Sequence, residues 1–285
     1  MNGLERSAKK ETVSMIVTVL LYAIGASSIP YYWVSNLLGG AKEWEWLFGF
    51  LTKTASSILP IYLIIKFGFK NLFSFKGCSV FALVLTLPAF LVMVNNFPFL
   101  PLMSGDMSIN GSFLQVVLYV LFCLSIGIFE ESAFRGCILP LFLIKFKKDK
   151  KGLFWAVIVS SFVFGGAHLL NLLNGFSPFV FLQVGYSFLI GATCGFALIV
   201  CKNIYIPMLF HGLFNVGGMF LGEGLAVGQL WTTANVIWTA ITSVVFCVLI
   251  ILIFVKKDFT DIYSRLNVSS EDFAVGEDEG SSSKS

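Results

Sequence analysis

The stretch Leu121–Pro140, LFCLSIGIFEESAFRGCILP, sets two glutamates and an arginine inside an apolar run that extends from Phe113 to Phe146. A hydrocarbon core about 30 Å thick is crossed by about 20 apolar helical residues. At about 1.5 Å per residue this run would measure about 51 Å as one straight helix, more than the core can hold. The stretch therefore predicts a membrane-embedded helix that breaks, tilts or protrudes. Gly136 and Pro140 stand where an interruption is needed.

Seven further runs of similar character flank it: Val13–Leu37, Trp46–Ile65, Val80–Phe97, Leu153–Leu170, Pro178–Cys201, Ile204–Leu221 and Leu230–Val255. The expected fold is an all-α, polytopic membrane protein with about eight transmembrane helices. Composition agrees, since 57% of the 285 residues are hydrophobic and 12% are charged, with a mean hydropathy of +0.86. Soluble domains carry about 25% charged residues, so disorder is excluded and an ordinary soluble enzyme is not expected. A net charge of +3 is too small to argue for nucleic acid as a partner. Membrane lipids are the expected surroundings.

The basic residues act as topology markers. One set of loops and ends holds 16 of the 19, in groups around Lys9, Lys70, Lys148, Lys202 and Lys257; Lys42 lies in an opposite loop, and Lys53 and Arg135 fall within runs. The positive-inside rule then puts both termini in the cytoplasm. Lys9 and Lys10 ahead of an apolar run imitate a secretory signal, but apolar residues resume at Ile29, which favours an uncleaved first span. The segment 257–285 is expected to be a cytoplasmic, largely disordered acidic tail. The chain thus divides into N-terminal membrane helices, about three, over 1–112, a core over 113–221, a final membrane helix over 222–256, and the tail. The six cysteines have no paired spacing and are expected to serve as small packing residues, as is the Gly191-to-Gly195 small-residue motif.

An ionisable group at mid-bilayer costs about 2.5–3.5 kcal/mol on insertion scales, so the few present are informative. Glu131 and Arg135 are four apart, share a helix face and can pair. Glu130 points about 100° away and lacks that partner, which leaves it free for chemistry. Both histidines of the chain lie in apolar runs: His168 one turn beyond Phe164, and His211 four residues before Asn215 on one helix face. Lys53, about 10 Å from the outer end of its run, is expected to reach the interface with its amino group and to be structural.

Three motifs in order resemble the CPBP intramembrane proteases, a family that includes the type II CAAX prenyl endopeptidases and bacterial proteins linked to bacteriocin processing or self-immunity. They are EExxxR over Glu130–Arg135, FxxxH over Phe164–His168 and HxxxN over His211–Asn215. The resemblance implies that 113–221 is the catalytic core. It also implies Glu130 as the catalytic carboxylate, His168 positioning a water, His211 and Asn215 completing the site, and Glu131 and Arg135 in support. The implied activity is that of an intramembrane endopeptidase acting on a peptide or lipidated protein substrate. Two mechanisms fit. In one, zinc is held by Glu130, His168 and His211 and acidifies a bound water. In the other, Glu130 and His168 activate water without metal, and His211 and Asn215 stabilise the oxyanion. The implied location is the cell membrane, or an internal ER-type membrane in a eukaryotic host. Buried carboxylates and histidines also suit a proton-coupled transporter, and a non-catalytic, protease-like immunity or scaffold protein would share the motifs.

Overall fold

The computed structural model describes residues 3–220, 223–229 and 232–266. Among the described residues, six helices are long and apolar enough to cross a membrane: Glu11–Leu37, Lys42–Lys66, Phe113–Lys145, Lys150–Leu173, Phe179–Cys201 and Thr233–Lys256. The chain is an all-α multi-pass membrane protein. Most of the acidic tail, from residue 267 onward, lies outside the described residues.

The N-terminal part comprises α1 (Gly3–Ser27), α2 (Tyr32–Leu37), α3 (Lys42–Lys66), α4 (Val80–Leu85), α5 (Leu87–Val94) and α6 (Phe99–Ser104). A short strand, β1 (Met107–Ile109), leads into α7 (Phe113–Ala133). There follow α8 (Leu139–Lys145), α9 (Lys150–Ala167), α10 (Phe179–Cys201), α11 (Tyr205–Met219), β2 (Ala226–Gly228), α12 (Thr233–Lys256) and α13 (Ile262–Arg265). The two strands pair antiparallel, Ser108 opposite Val227.

Local chemistry sets the helix starts. Ser112 caps α7 in a reciprocal box: its Oγ accepts from Gln115 N at 3.3 Å, and its N–H donates to Gln115 Oε1 at 2.8 Å. Asp149 caps α9 through Gly152 N at 2.6 Å, and Thr232 caps α12 through Asn235 N at 3.2 Å. After α10 the chain turns at Lys202, which adopts a left-handed conformation with φ of 53° and pairs with Asp261.

Two of the eight expected runs take a shorter form. Val80–Phe97 becomes α4 and α5, interrupted at Thr86, whose Oγ1 donates to Leu83 O at 2.8 Å. Pro88 lacks the N–H that would have continued the helix there. The run from Ile204 contains α11, which has 15 residues. The overlong fourth run does not snap at Gly136 or Pro140. Phe134–Ile138 forms a single π-helical segment, joining α7 and α8 into one 33-residue span. An extra residue in one turn changes the facing of the chain without ending the helix.

The part of the chain that carries the three motifs is organised by close helix contacts. α3 and α7 run in the same direction in a regular register, with Gln115 donating to Glu43 Oε1 at 2.8 Å near one end and Ile64 against Gly136 near the other. Between them Trp46 meets Tyr119 edge-on with centroids 6.0 Å apart, and Phe122 fills the space a Cβ on Gly49 would take. This register places Lys53 on the face that meets α7. The expectation that it reaches the interface is corrected: Lys53 is 5% exposed, with Nζ 5.0 Å from the Phe129 ring centroid.

α7 and α11 approach through glycine. A Cβ on Gly127 would lie 2.6 Å from both Met208 O and Gly212 N, so the two backbones touch there. Gly191 lets the Arg135 guanidinium and Ser161 lie against α10, and Gly195 faces Val157 and Leu139, so this motif does serve packing. All six cysteines are free, and Cys123, Cys137, Cys194 and Cys201 are buried.

Candidate active site

Contact between α7 and α11 at Gly127 and Gly212 brings the end of α7 beside His211. Glu131 is fully buried, and its Oε1 stands 2.8 Å from His211 Nδ1 and 3.0 Å from Arg135 Nη1. The π-helical turn carries Arg135 back over this carboxylate. Arg135 is 1% exposed, and its guanidinium also lies 4.4 Å above the Phe164 ring. The ion pair is close but not aligned as a hydrogen bond, and Glu131 Oε2 has no hydrogen-bond partner.

Glu130 is placed differently. Its carboxylate retains 17% exposure and faces His211 Nε2 across 3.7 Å, too far for a direct hydrogen bond. Glu131 serves as acceptor for His211 Nδ1–H, which directs Nε2 toward Glu130. His168 lies at the end of α9, where its Nδ1 meets Phe164 O at 3.0 Å. With that carbonyl as acceptor, Nδ1 carries the proton and Nε2 is left as an acceptor.

Phe164 is the hub of the arrangement. It packs edge-on against His168 (5.2 Å, 85°), His211 (5.7 Å, 85°) and Phe134 (4.8 Å, 70°), with the Arg135 cation on its face. Its one ring sets the planes of both imidazoles. Sequence reading gave Phe164 only a motif position. The signal available was its i, i+4 spacing to His168.

Glu130, Phe164, His168, His211 and Asn215 line one cavity of about 640 Å³. Asn215 Nδ2 is a buried donor without a hydrogen-bond partner. Asn95 and Asn96, just after α5, Tyr186 of α10 and Ser243 of α12 border the same space. Asn95 ties α5 to α12 through Thr239 O at 3.1 Å and Ser243 Oγ at 3.0 Å, and Asn96 Nδ2 donates to Phe214 O of α11 at 2.9 Å. The four residues proposed from sequence as catalytic thus converge from α7, α9 and α11. Glu131 lies behind His211, bonded to it rather than to Arg135 alone.

A zinc site asks for three or more protein ligands arranged around one point. Among the described residues, no group of three or more His, Cys, Asp or Glu side chains is arranged to hold a metal ion. Glu130, His168 and His211 are not gathered around one point as a zinc site requires.

Residues 112–217 match a family model described as Type II CAAX prenyl endopeptidase Rce1-like. The segment is similar to the Rce1-like proteins of the CPBP family. The match starts at the α7 cap, Ser112, and ends just beyond Asn215, so the matched segment contains every residue of the cluster. No curated protein and no solved structure matches the chain. Helices α1 to α6 and α12 lie outside the matched segment, yet α5 and α12 supply part of the cavity wall.

Proposed function

We propose that the chain is an intramembrane endopeptidase that hydrolyses a peptide bond in a membrane-associated or lipidated substrate, with water activated by Glu130 and His168. The observation that carries this reading is the unequal treatment of two adjacent carboxylates. Glu131 is buried, ion-paired with Arg135 and hydrogen-bonded to His211, while Glu130 opens onto a cavity shared with two histidines and an unpartnered asparagine amide.

The steps follow from the positions. A water between Glu130 and His168 gives one proton to the Glu130 carboxylate and is oriented by His168 Nε2, which accepts its other O–H. The hydroxide forms a bond to the peptide carbonyl carbon. The resulting oxyanion receives Asn215 Nδ2–H, with the His211 ring beside it. Glu131 holds that ring in place through Nδ1. Glu130 then returns its proton to the departing nitrogen as the C–N bond breaks, leaving an acid and an amine. Placement inside the bilayer strengthens each of these interactions by excluding bulk water.

The same reading takes residues 113–221 as the catalytic core. It takes α4–α5 and α11 as the two remaining passes, giving eight with both termini cytoplasmic, in the cell membrane or, in a eukaryotic host, an internal ER-type membrane. The test is cleavage of an internally quenched, farnesylated CAAX peptide by the reconstituted chain, paired with a comparison of membrane peptides from cells carrying wild type or Glu130→Gln. Glu130→Gln is expected to insert and fold normally while product formation falls to background. Wild-type cleavage by that variant would overturn the mechanism. Substrate flux in liposomes without any cleaved product would favour transport instead.

A further inference from the structure

Asn215 sits on a weak piece of helix. α11 ends at Met219, and Val216 is followed by Gly217 and Gly218, glycine being among the poorest helix formers. Helix ends fray, and the last four carbonyls of a helix lack partners within it. Left to itself, this turn would not fix a side chain. Yet Asn215 Nδ2 is a buried donor with no hydrogen-bond partner, on the wall of the cavity that holds Glu130 and both histidines.

Hydrogen bonds from outside the helix supply what the local sequence lacks. Asn96, two residues past the end of α5, donates from Nδ2 to Phe214 O at 2.9 Å. Tyr119 of α7 shares its hydroxyl proton between Asn215 O at 3.2 Å and Val216 O at 2.5 Å. Three successive carbonyls, those of Asn215 and its two neighbours, are thereby held by side chains of two other elements. The glycines admit this approach: a Cβ on Gly217 would meet Phe97 Cδ2 at 2.6 Å and Asn96 C at 2.9 Å, and one on Gly218 would overlap the Asn96 amide. Tyr119 is itself packed in place, fully buried, with the Trp46 ring edge-on at 6.0 Å and the Phe220 ring at 5.1 Å. Asn96 lies outside the segment matched by the family model, so no motif marks it.

A donor that stabilises charge in a transition state must be in place before the reaction. We propose that Asn96 and Tyr119 are positioning residues for Asn215: by bonding the α11 backbone at Asn215 and at both of its neighbours, they hold its amide in the cavity wall. The proposal rests on the reading of Asn215 as the oxyanion donor.

Two measurements on the full chain test it. The first is turnover of the farnesylated quenched peptide by Tyr119→Phe, which removes only the hydroxyl, and by Asn96→Leu, each alone and combined with Asn215→Ala. Misplacing a reacting group by about 1 Å costs about 100-fold, so each single variant should lower kcat by about 10–100-fold with KM unchanged. Beside Asn215→Ala, neither should lower kcat further. Wild-type kcat in either single variant would overturn the assignment, and so would a loss that persists beside Asn215→Ala, which is what a merely structural bond predicts. Should Asn96→Leu fail to fold, Tyr119→Phe decides the case. The second is amide hydrogen exchange over α11, read by mass spectrometry. Both variants should speed exchange at residues 218–220 by about 2–10-fold, the scale of one lost hydrogen bond, and leave residues 208–212 as in wild type. Unchanged exchange at the helix end would refute the clamp. Exchange needs no turnover, so a chain that cleaves nothing overturns the protease reading while exchange still judges Asn96 and Tyr119.

Discussion

Replacing Gly127 by alanine tests whether backbone contact between α7 and α11 builds the site. The added Cβ would meet Met208 O and Gly212 N at 2.6 Å, and neither atom belongs to a side chain that can swing away. Ordinary contact begins near 3.5 Å, so the helices must part by about 0.9 Å at this point. His211 Nδ1 and Glu131 Oε1, now 2.8 Å apart, would then stand about 3.7 Å apart and cease to be hydrogen-bonded. Overpacking of this kind costs about 1–3 kcal/mol, against which alanine recovers about 0.5–1 kcal/mol of helix preference. The expected net loss is about 1–2 kcal/mol. A displacement near 1 Å in a catalytic constellation costs about 100-fold in rate, so turnover should suffer far more than folding. Peptide cleavage and thermal unfolding, measured on the same preparation, separate the two effects. Gly185→Ala is the matched control, because a Cβ there has nothing within 4 Å and α10 should gain slightly. Wild-type turnover in Gly127→Ala, or an equal loss in Gly185→Ala, would show that the reasoning from close contact is wrong.

Other substitutions distinguish support from chemistry. Glu131→Gln breaks a buried ion pair by removing one partner, and should cost about 3–5 kcal/mol in chemical or thermal unfolding, whereas Glu130→Gln should leave stability near wild type. Asn215→Ala removes an oxyanion donor, and kcat on the quenched peptide should fall by about 100–1000-fold with KM little changed; an equal rise confined to KM would assign Asn215 to substrate binding. Phe164→Leu removes the ring beneath Arg135 and beside both histidines, and should lower Tm and turnover together, with at least 0.5–2 kcal/mol, roughly, from the lost cation–π contact.

Much of this fold was legible because lipid imposes simple demands on sequence. Runs of apolar residues marked the long helices, whereas the break expected in the overlong Phe113–Phe146 run is replaced by a π-helical segment inside one continuous span of 33 residues. The Glu131–Arg135 pair followed from four-residue spacing, since both ends lie on one helix. The bond from Glu131 to His211 did not, because 80 residues separate them and the α7–α11 contact that joins them is set by Gly127 and Gly212, not by any periodic signal. Lys53 misled for a related reason. Its distance from the end of α3 gave its depth, whereas its fate depended on the direction it faced, which only the register with α7 determines.

The location of the Glu131–Arg135 pair within a single helix bears on how the protein can be made. A helix carrying two charges into lipid would face a barrier of about 2.5–3.5 kcal/mol for each, but this one carries its own neutralising contact and can leave the insertion machinery before its later partners exist. His211 is synthesised 80 residues after Glu131, which at about 5–20 residues per second is a wait of roughly 4–16 s. Chain order thus lets the Glu131 carboxylate meet its cation as it enters the bilayer, and leaves the imidazole to dock later, against a charge that is already paired.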